Sequence, residues 1–413
     1  MKATQIRWAA AGLSCLAGGA IAMAPIGTAA ASAGHQAGVA KKSHHPNGFF
    51  VVDRKGNTQK VENYGTPSAL VRDSNGTEHL VTTKPSKGDP SQGKIVYLTR
   101  ESDKGSWKAH AIPQTFDLSG DMQVEAFTTF GGRRIGAIFF GCDGTYVTDA
   151  PIGAGRLPVP QNIAPKDECA TPPATSSNPP IALAGNTLGK DIGILLPVGP
   201  LNANYAIYNG TPGANPTFTA GTPLPTSSDF KPLQLAIDPI YGNKVVVGTG
   251  SDGVNVGIYV TTQGRYDTAW SDPQAIASLD SPTDNYKVDA VQTYRQHTYV
   301  GLEKPSQGKH LKHTLFLVKG QPSGQWLGTI RLPHTTGNDH NLRLDVNVLT
   351  NHLHAVWTRV VPGSHSKKSG LMHEAQNADG WLKPFFVTHW YRDVATQITL
   401  NPAGHPFIGY NQR

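Results

Sequence analysis

The stretch from Lys287 to Glu303, KVDAVQTYRQHTYVGLE, holds two apolar strands joined by a tight turn, and this unit recurs along the chain. The seven copies are SALVRDSNGTEHLVTT (68 to 83), QVEAFTTFGGRRIGAIFF (123 to 140), PIALAGNTLGKDIGILLPV (180 to 198), LQLAIDPIYGNKVVVGT (233 to 249), KVDAVQTYRQHTYVGLE (287 to 303), RLDVNVLTNHLHAVWTR (343 to 359) and TQITLNPAGHPFIGY (396 to 410). Their second strands begin at His79, Arg134, Asp191, Lys244, His297, His352 and His405, at spacings of 55, 57, 53, 53, 55 and 53 residues. A fixed period of this size indicates a propeller or another repeat array.

Each full copy continues with two further strands, for example KIVYLTR (94 to 100) and SWKAHAI (106 to 112). Four strands per repeat is the blade of a β-propeller. The seventh copy ends after two strands, and FFVVD (49 to 53) and TQKVENY (58 to 64) can supply the missing pair. Because sharing one blade between the termini removes exposed sheet edges, we predict an all-β, seven-bladed β-propeller over residues 47–413, its last blade shared between N- and C-terminal strands.

Tryptophan recurs near the fourth strand of the repeat, at Trp107, Trp270, Trp326 and Trp381. We favour packing between blades over ligand contact for these side chains. The pattern of strand, Asn-Gly turn, strand and Gly-x-Trp resembles the sialidase-like (BNR repeat) propellers of secreted bacterial proteins. The sialidase Asp-box, Ser-x-Asp-x-Gly-x-x-Trp, is represented by the shorter Asp103-x-Gly105-x-Trp107. The resemblance therefore implies the fold and carries over no catalytic residue. Some polysaccharide lyases that act on acidic polymers also resemble this fold, and GNDHN (337 to 341) is similar to their His-Asn patterns.

The N-terminal segment has the pattern of an export signal. Lys2 and Arg7 precede an apolar run, and Ala31-Ser32-Ala33 fits the small-x-small pattern before a cleavage site. We expect residues 1–33 to be a signal peptide and 34–46 a flexible basic tail, so that the mature protein is secreted and extracellular. A lipoprotein acylated at Cys15 is a less favoured alternative. Removal of the leader's two cations changes the net charge from +7 to +5.

Composition and cysteine usage agree with an exported protein rich in turns. The 45 Gly and 31 Pro residues disfavour helical bundles and coiled coils. After removal of the leader, Cys142 and Cys169 remain, and an even pair in an oxidising compartment favours one disulfide. Two unpaired thiols are the alternative.

Cations concentrate in the loops that connect second and third strands, which emerge on one face of a propeller. This predicted arc contains Lys84, Lys87, Lys94, Lys304, Lys309, His310, Lys312, His313, His365, Lys367 and Lys368, with Asp89 and Glu303 opposing it. Such a field attracts polyanions such as teichoic acids, acidic polysaccharides or nucleic acid. The chain has no recognisable nucleic-acid motif, so we expect no specific nucleic-acid partner. The alternative is a solvated rim without a ligand.

The links between blades line the predicted channel mouth on the same face. They contribute Asp284, Tyr286, His334, Asp339, His340, Asn341, Arg343, His389, Trp390, Tyr391, Arg392 and Asp393. Aromatic faces beside charged groups suit sugar, because the ring stacks and the charges bind hydroxyl or uronate oxygens. In a lyase, Arg343 or Arg392 would neutralise a uronate, and His340 or Tyr391 would remove the proton. The alternative is that these residues only hydrogen-bond loops.

Two further sets of polar residues have side chains that can bind ions or act as acids. Glu125, Asp289 and Asp345 occupy matching places in first strands and would ring the channel as paired acids, as a cation site or as solvated lining. His352 with His354, and His310 with His313, fall short of a complete metal set. We therefore expect no metal site and no cofactor.

Three classes of function follow from these patterns. A non-catalytic binder of carbohydrate or another anionic polymer is the first choice, a polysaccharide lyase or glycoside hydrolase is the second, and a protein-docking platform is the third. Whether the protein is an enzyme stays open, because no catalytic motif occurs. We expect a monomer without a membrane span.

Overall fold

The computed structural model describes residues 48–52, 58–61, 68–73, 75–101, 105–118, 123–129, 134–141, 144–164, 182–185, 191–198, 202–209, 217–220, 224–225, 230–238, 240–251, 253, 256–278, 287–305, 313–336, 338–347, 349–361, 368–389, 393–400 and 404–412. All of these belong to the unit Lys41–Arg413. Every regular element among them is a β-strand, so the described chain is all-β, as predicted.

The described strands, numbered β1 to β30 along the chain, group into seven sheets of four or five strands. Sheet 1 contains β3 (Ser68–Arg72), β4 (Glu78–Pro85), β5 (Gln92–Arg100), β6 (Lys108–Ala111) and β7 (Phe116–Asp117); sheet 2 contains β8 (Gln123–Thr129), β9 (Arg134–Gly141), β10 (Gly144–Pro151) and β11 (Gln161–Ala164); sheet 3 contains β12 (Ala182–Gly185), β13 (Asp191–Val198), β14 (Asn202–Asn209) and β15 (Thr217–Ala220). Sheet 4 contains β16 (Lys231–Ile237), β17 (Lys244–Ser251), β18 (Val256–Gln263) and β19 (Gln274–Ser278); sheet 5 contains β20 (Lys287–Tyr294), β21 (His297–Pro305), β22 (His313–Gly320) and β23 (Ile330–Arg331); sheet 6 contains β24 (Asp339–Val346), β25 (Leu353–Arg359), β26 (Gly370–Asn377), β27 (Gly380–Trp381) and β28 (Phe385–Phe386).

Sheet 7 joins the two ends of the described chain. It contains β29 (Asp393–Leu400), β30 (Pro406–Gln412), β1 (Gly48–Val52) and β2 (Thr58–Lys60), in the spatial order β2, β1, β30, β29. The N-terminal strand β1 lies antiparallel to β30, with Gly48 opposite Gln412 and Val52 opposite Ile408. The strands from the two termini therefore share one sheet, as the incomplete seventh copy predicts.

The first strands of the sheets lie next to one another in chain order. β3 contacts β8, β8 contacts β12, β12 contacts β16, β16 contacts β20, β20 contacts β24, and β24 contacts β29. β29 in turn contacts β3, which returns the series to its start. Each sheet therefore has its neighbours in sequence as its neighbours in space.

The continuous apolar runs of the repeat arise because both faces of a sheet are covered. On β4, Leu80 packs into the core shared with sheet 7, whereas its neighbour Val81 packs into the core shared with sheet 2. On β17, Val245 and Val247 enter one core and Val246 the opposite one. Since successive side chains of a strand point to opposite faces, burial on both sides requires apolar residues at every position.

The recurring tryptophans pack against these cores, as predicted. Trp270 is buried in a cluster with Leu235, Val246 and Tyr259 of sheet 4. Trp107, Trp326 and Trp381 lie half-buried against the cores of their sheets.

Hydrogen bonds at one repeat position connect consecutive first strands. Asp289 Oδ2 accepts a hydrogen bond from Leu342 N at 3.0 Å, and Asp345 Oδ2 accepts one from Leu400 N at 2.8 Å. Burial raises the pKa of Asp345 to about 7, although the N–H groups of Val346 and Leu400 favour its charged form. The expectation that Asp289 and Asp345 ring the channel for a ligand is thus corrected, because these carboxyl groups hold neighbouring sheets together. The Glu125 side chain lies outside the described residues.

Candidate functional site

Charged side chains meet at the edge where second strands end and first and third strands begin. In sheet 5, Lys287 at the start of β20 lies opposite Glu303, and Pro305 at the end of β21 lies opposite His313 at the start of β22. We call this the loop edge. The opposite edge, which carries the short turns between first and second strands, is called the turn edge.

Exposed lysines are common on the loop edge. Those in the described residues are Lys84, Lys87, Lys94, Lys231, Lys287 and Lys368. Lys84 and Lys94 lie directly opposite each other on β4 and β5. Among the described residues of this edge, Asp89 is the carboxylate that we find exposed. Two exposed lysines are thus neighbours across the hairpin and add positive charge to this edge.

The turn edge holds a sealed ion cluster at the boundary of sheets 7 and 1. Glu78 Oε1 lies 2.5 Å from Arg72 Nη2, and Glu78 Oε2 lies 2.5 Å from Arg100 Nη2. Both guanidinium groups stack on the ring of Phe407, at 4.9 and 4.8 Å. The Glu78 side chain is 0% exposed and those of the two arginines are at most 6% exposed. This cluster is closed to any ligand and belongs to the fold.

A second polar cluster lies at the loop edge between sheets 5 and 6. Glu303 Oε1 is 2.7 Å from His313 Nδ1 and 3.2 Å from His340 Nδ1. The two imidazole rings face each other at a centroid distance of 4.0 Å. The exposed fractions of the His313 and His340 side chains are 20% and 25%, so solvent reaches both. We call Glu303, His313 and His340 the acid–imidazole cluster.

Irregular pairing of the first strands places this cluster. The register of β24 against β25 shifts between His340 and Arg343, and Asn341 in this bulge has a φ of 55°. The bulge turns the Asn341 N–H toward Glu303 Oε2, to which it donates a hydrogen bond at 3.0 Å. β-bulges re-aim side chains at sheet edges, and here the bulge brings His340 beside a residue of the neighbouring sheet.

A buried carboxyl group adjoins the cluster. Burial raises the pKa of Asp289, and the charge of Glu303 raises it further against the opposing effect of Lys287. Burial would also raise the pKa of Glu303, but hydrogen bonds with His340, Asp289 and Asn341 outweigh burial and hold it well below its usual range. Burial, followed by the charge of His340, lowers the pKa of His313. At neutral pH, Glu303 is therefore ionised and His313 is neutral.

Asp339 was predicted to contact a ligand at the channel mouth, and the structure corrects this. Its side chain is 0% exposed. Asp339 Oδ1 accepts hydrogen bonds from Arg359 Nε at 2.8 Å and Trp357 Nε1 at 3.0 Å, and Oδ2 accepts one from Thr336 N at 2.7 Å. Because both oxygens are buried and engaged, Asp339 stabilises the start of β24 and is removed from the candidate site.

The other predicted residues of the channel mouth differ in accessibility. Arg343 is half-buried, and its Nη1 donates hydrogen bonds to the backbone carbonyls of Asp289 and Leu342, both at 2.9 Å. Asn341 contacts Glu303 through its backbone. His389 is exposed, and its ring lies 4.6 Å from that of Phe386. Of this group, His340 alone joins the acid–imidazole cluster in the part of the chain that the structure describes.

Several predicted residues lie outside the described residues. These are Lys309, Lys312, Lys367, Trp390, Tyr391, Arg392, Cys142 and Cys169. The side chain of Asp393, at the start of β29, is outside them as well. The ligand roles of these residues and the disulfide between the two cysteines stay predictions.

Sequence reasoning did not assign Glu303 or Lys287 to a site. Glu303 was counted only as a charge that opposes the cationic arc. A regular hairpin with Tyr294 opposite His297 would place Lys287 opposite Lys304. A register shift between Val288 and Ala290 brings Lys287 opposite Glu303 instead, so the sequence alone does not predict this pair. The addition of His340 from the next sheet required the three-dimensional arrangement.

Comparisons with known proteins identify similar folds. No protein-family model matches the chain, and no match was found among curated proteins. Similar solved structures include a K499G mutant of NanB sialidase from Streptococcus pneumoniae, with 10% identity, 84% of this chain and 68% of that chain covered, and a TM-score of 0.43. The Dos1 propeller matches with 7% identity, 83% and 91% coverage, and a TM-score of 0.43. A lectin of Aleuria aurantia, in complex with α-methyl-L-fucoside, matches with 11% identity, 78% and 95% coverage, and a TM-score of 0.42.

At these identities and TM-scores we take no fold assignment, substrate or residue role from these structures. Membership in the sialidase-like family stays a prediction. Within the described residues, no helix is long and apolar enough to cross a membrane.

Proposed function

We propose that this chain is a secreted, seven-bladed propeller that binds an acidic carbohydrate or another anionic polymer through its loop edge without cleaving it. Two observations support the seven blades. Each first strand contacts the next one and β29 contacts β3, and one sheet combines strands from both ends of the described chain. The predicted signal peptide, residues 1–33, supports export. N-terminal sequencing of the exported protein is expected to begin at Gly34.

The distribution of lysines on the loop edge carries the proposal. Six exposed lysines lie on this edge of the described chain, one of which, Lys287, is paired with the buried Asp289, and Lys84 lies opposite Lys94. Neighbouring cations strengthen the positive field that attracts an anion. A polymer with a negative charge on every unit would contact several of these lysines at once.

The test is a polysaccharide panel, with neutral and acidic polymers, that records binding and product release together. We expect salt-sensitive retention on acidic polymers without new chain ends. Lys84→Gln with Lys94→Gln is expected to weaken retention about two- to thirtyfold, since an exposed charge contact is worth about 0.2–1 kcal/mol.

The matched control removes two cations from the turn edge, with Lys108→Gln and Arg265→Gln. Both side chains are exposed and lie away from the loop edge. Equal losses in the two double variants would show a diffuse charge effect and would contradict a loop-edge site. Retention on neutral polymers alone would contradict the anionic ligand.

A carbohydrate-active enzyme is the second candidate, favoured by one observation. The partly exposed His340 ring lies 3.2 Å from the Glu303 carboxylate, and Lys287 lies opposite Glu303 on the paired strand, so a proton acceptor and a cation would both be near a bound uronate. Product release that disappears in His340→Ala would replace the non-catalytic proposal with a lyase or glycosidase.

A further inference from the structure

The acid–imidazole cluster has the donor set of a metal site. One ligand-type atom of each member, Glu303, His313 and His340, lies within 4.8 Å of those of the other two. Carboxylate oxygen and imidazole nitrogen are donors that Zn²⁺ binds in proteins. The lysines that carry the proposed polymer binding leave these three residues without a role.

The distances within the cluster suit a shared ion. Donors of a tetrahedral zinc site lie roughly 3.3 Å apart, because each is about 2.0–2.1 Å from the metal. Glu303 Oε1 lies 2.7 Å from His313 Nδ1 and 3.2 Å from His340 Nδ1. Small side-chain adjustments therefore suffice to place three donors around one ion.

The orientation of His313 gives a second, independent indication. Its Nδ1 atom is buried and has no aligned hydrogen-bond partner in the described part of the chain. It nevertheless lies within 2.7 Å of a carboxylate oxygen. Two ligands of one metal approach in this manner, because their lone pairs point at the ion and not at each other.

Neighbouring groups orient the other two donors. His340 Nε2 lies 3.2 Å from Asn338 Oδ1, so the tautomer that donates from Nε2 leaves the Nδ1 lone pair directed at Glu303. Glu303 Oε2 accepts the Asn341 N–H, which leaves Oε1 facing both imidazoles. Metal-binding histidines commonly donate their second N–H to such an oxygen acceptor.

We propose that Glu303, His313 and His340 bind one Zn²⁺ ion with a fourth position open at the loop edge. Three protein ligands and an open position are the arrangement of a zinc site that accepts water or a ligand oxygen. The sequence did not predict this metal set, because histidines that are close in the sequence occur only as pairs and Glu303 joins them only in the folded structure. This inference does not depend on polymer binding.

The test uses the full mature chain without an affinity tag, first stripped of metal with a chelator and dialysed. Isothermal titration with Zn²⁺ is expected to give one ion per chain and to raise Tm. Titration with Co²⁺ is expected to give the intense visible absorption of a four- or five-coordinate site. A wild-type chain that takes up no zinc in molar excess would overturn the proposal, as would a weak six-coordinate cobalt spectrum.

Variants assign the ligands. His313→Ala, and separately His340→Ala, are expected to weaken zinc affinity more than 100-fold. Asn338 orients His340 and also donates a hydrogen bond to the Val360 carbonyl, and Asn338→Ala is expected to weaken zinc affinity about 10–100-fold. Each variant is compared with the wild type by Tm in the absence of metal, so that misfolding is recognised. Asn338→Ala keeps all three ligands and tests the site even where a ligand variant fails to fold.

Two controls separate this site from adventitious binding by other histidines. His110→Ala removes an exposed imidazole from β6, and His44→Ala with His45→Ala removes two from the predicted tail. Both controls are expected to keep the zinc affinity of the wild type. Loss of the ion in the His44 and His45 variant, with retention in His340→Ala, would assign the metal to the tail and overturn the proposal.

Discussion

Two clusters of charged side chains sit at sheet boundaries on opposite edges of this molecule, and they differ in closure. The Arg72, Glu78 and Arg100 cluster is covered by Phe407 and excludes solvent. The acid–imidazole cluster stays partly exposed, with the His313 and His340 side chains 20% and 25% exposed. Both clusters contain buried nitrogens without an aligned partner, so incomplete pairing does not separate them. The comparison teaches that buried charge alone does not mark a functional site, because a ligand must also be able to reach the charge.

The largest expected effect is on the sealed cluster. Glu78→Gln leaves two buried guanidinium groups without a counter-charge and is expected to lower the free energy of unfolding by about 3–5 kcal/mol. The same isosteric change at the open cluster, Glu303→Gln, is expected to cost clearly less, because solvent can compensate there. Urea unfolding at pH 7 measures both variants. Equal losses would remove the distinction between the two clusters.

His354 and His373 form a second buried polar pair, and the pH dependence of stability tests whether burial keeps them neutral. His354 Nδ1 lies 3.2 Å from His373 Nε2, and burial lowers their pKa values to about 4 and about 3. The folded state therefore binds fewer protons than the unfolded state below the ordinary histidine pKa of about 6.5, so stability is lost as pH falls.

His373→Phe is expected to remove about 2 kcal/mol of the loss in stability between pH 7 and pH 5, since one pH unit corresponds to about 1.4 kcal/mol per proton. Phenylalanine fits this position, because the His373 ring already packs edge-on against Phe385. Urea midpoints at the two pH values provide the measurement. If the wild type and His373→Phe lose the same stability between pH 7 and pH 5, His373 is protonated in the folded state at pH 5.

Asp289 adjoins the acid–imidazole cluster and also connects two sheets, so its variants test whether it has a structural role. Asp289→Leu leaves the Leu342 N–H without its acceptor and is expected to cost about 1–3 kcal/mol. Asp289→Asn keeps an oxygen for Leu342 and places an amide in the position of the carboxyl group, so it is expected to cost less than about 1 kcal/mol. Thermal unfolding of the two variants is the measurement. A large loss in Asp289→Asn would show that Asp289 must carry a charge.

The smallest effect is expected for a fully exposed pair. Lys108 Nζ lies 3.1 Å from Glu101 Oε1, and both side chains are more than half exposed. Lys108→Ala is expected to change the free energy of unfolding by less than about 0.5 kcal/mol, because water screens such pairs. A loss comparable to that of Asp289→Leu would indicate an unrecognised role for Lys108 in sheet 1.

The sequence allowed more of the fold than of the site to be predicted. Strand positions followed from the repeat, because a sheet covered on both faces needs apolar residues such as Leu80 and Val81 side by side. The shared sheet 7 followed from the incomplete last copy.

The periodic pattern does not predict which polar side chains contact each other in the folded structure. Asp339 has the composition of a ligand contact, yet Arg359 and Trp357 on the next strand enclose it. Glu303 and His340 are 37 residues apart and meet only because a bulge at Asn341 turns one sheet toward the other. Polar residues of similar type are thus separated into structural and accessible groups by tertiary contacts that periodicity does not encode.

The pairing of β1 with β30 also bears on how the chain reaches its final state. Gly48 lies opposite Gln412, so this sheet combines strands that are far apart in the sequence and cannot be completed before β30 has been synthesised. Contacts so distant in sequence form slowly, because the entropy of joining the ends is lost before any contact is gained. Until β1 pairs with β30, the backbone groups on that side of β30 lack a partner strand. A chain shortened before Pro406 would lack β30 and could not form this pairing.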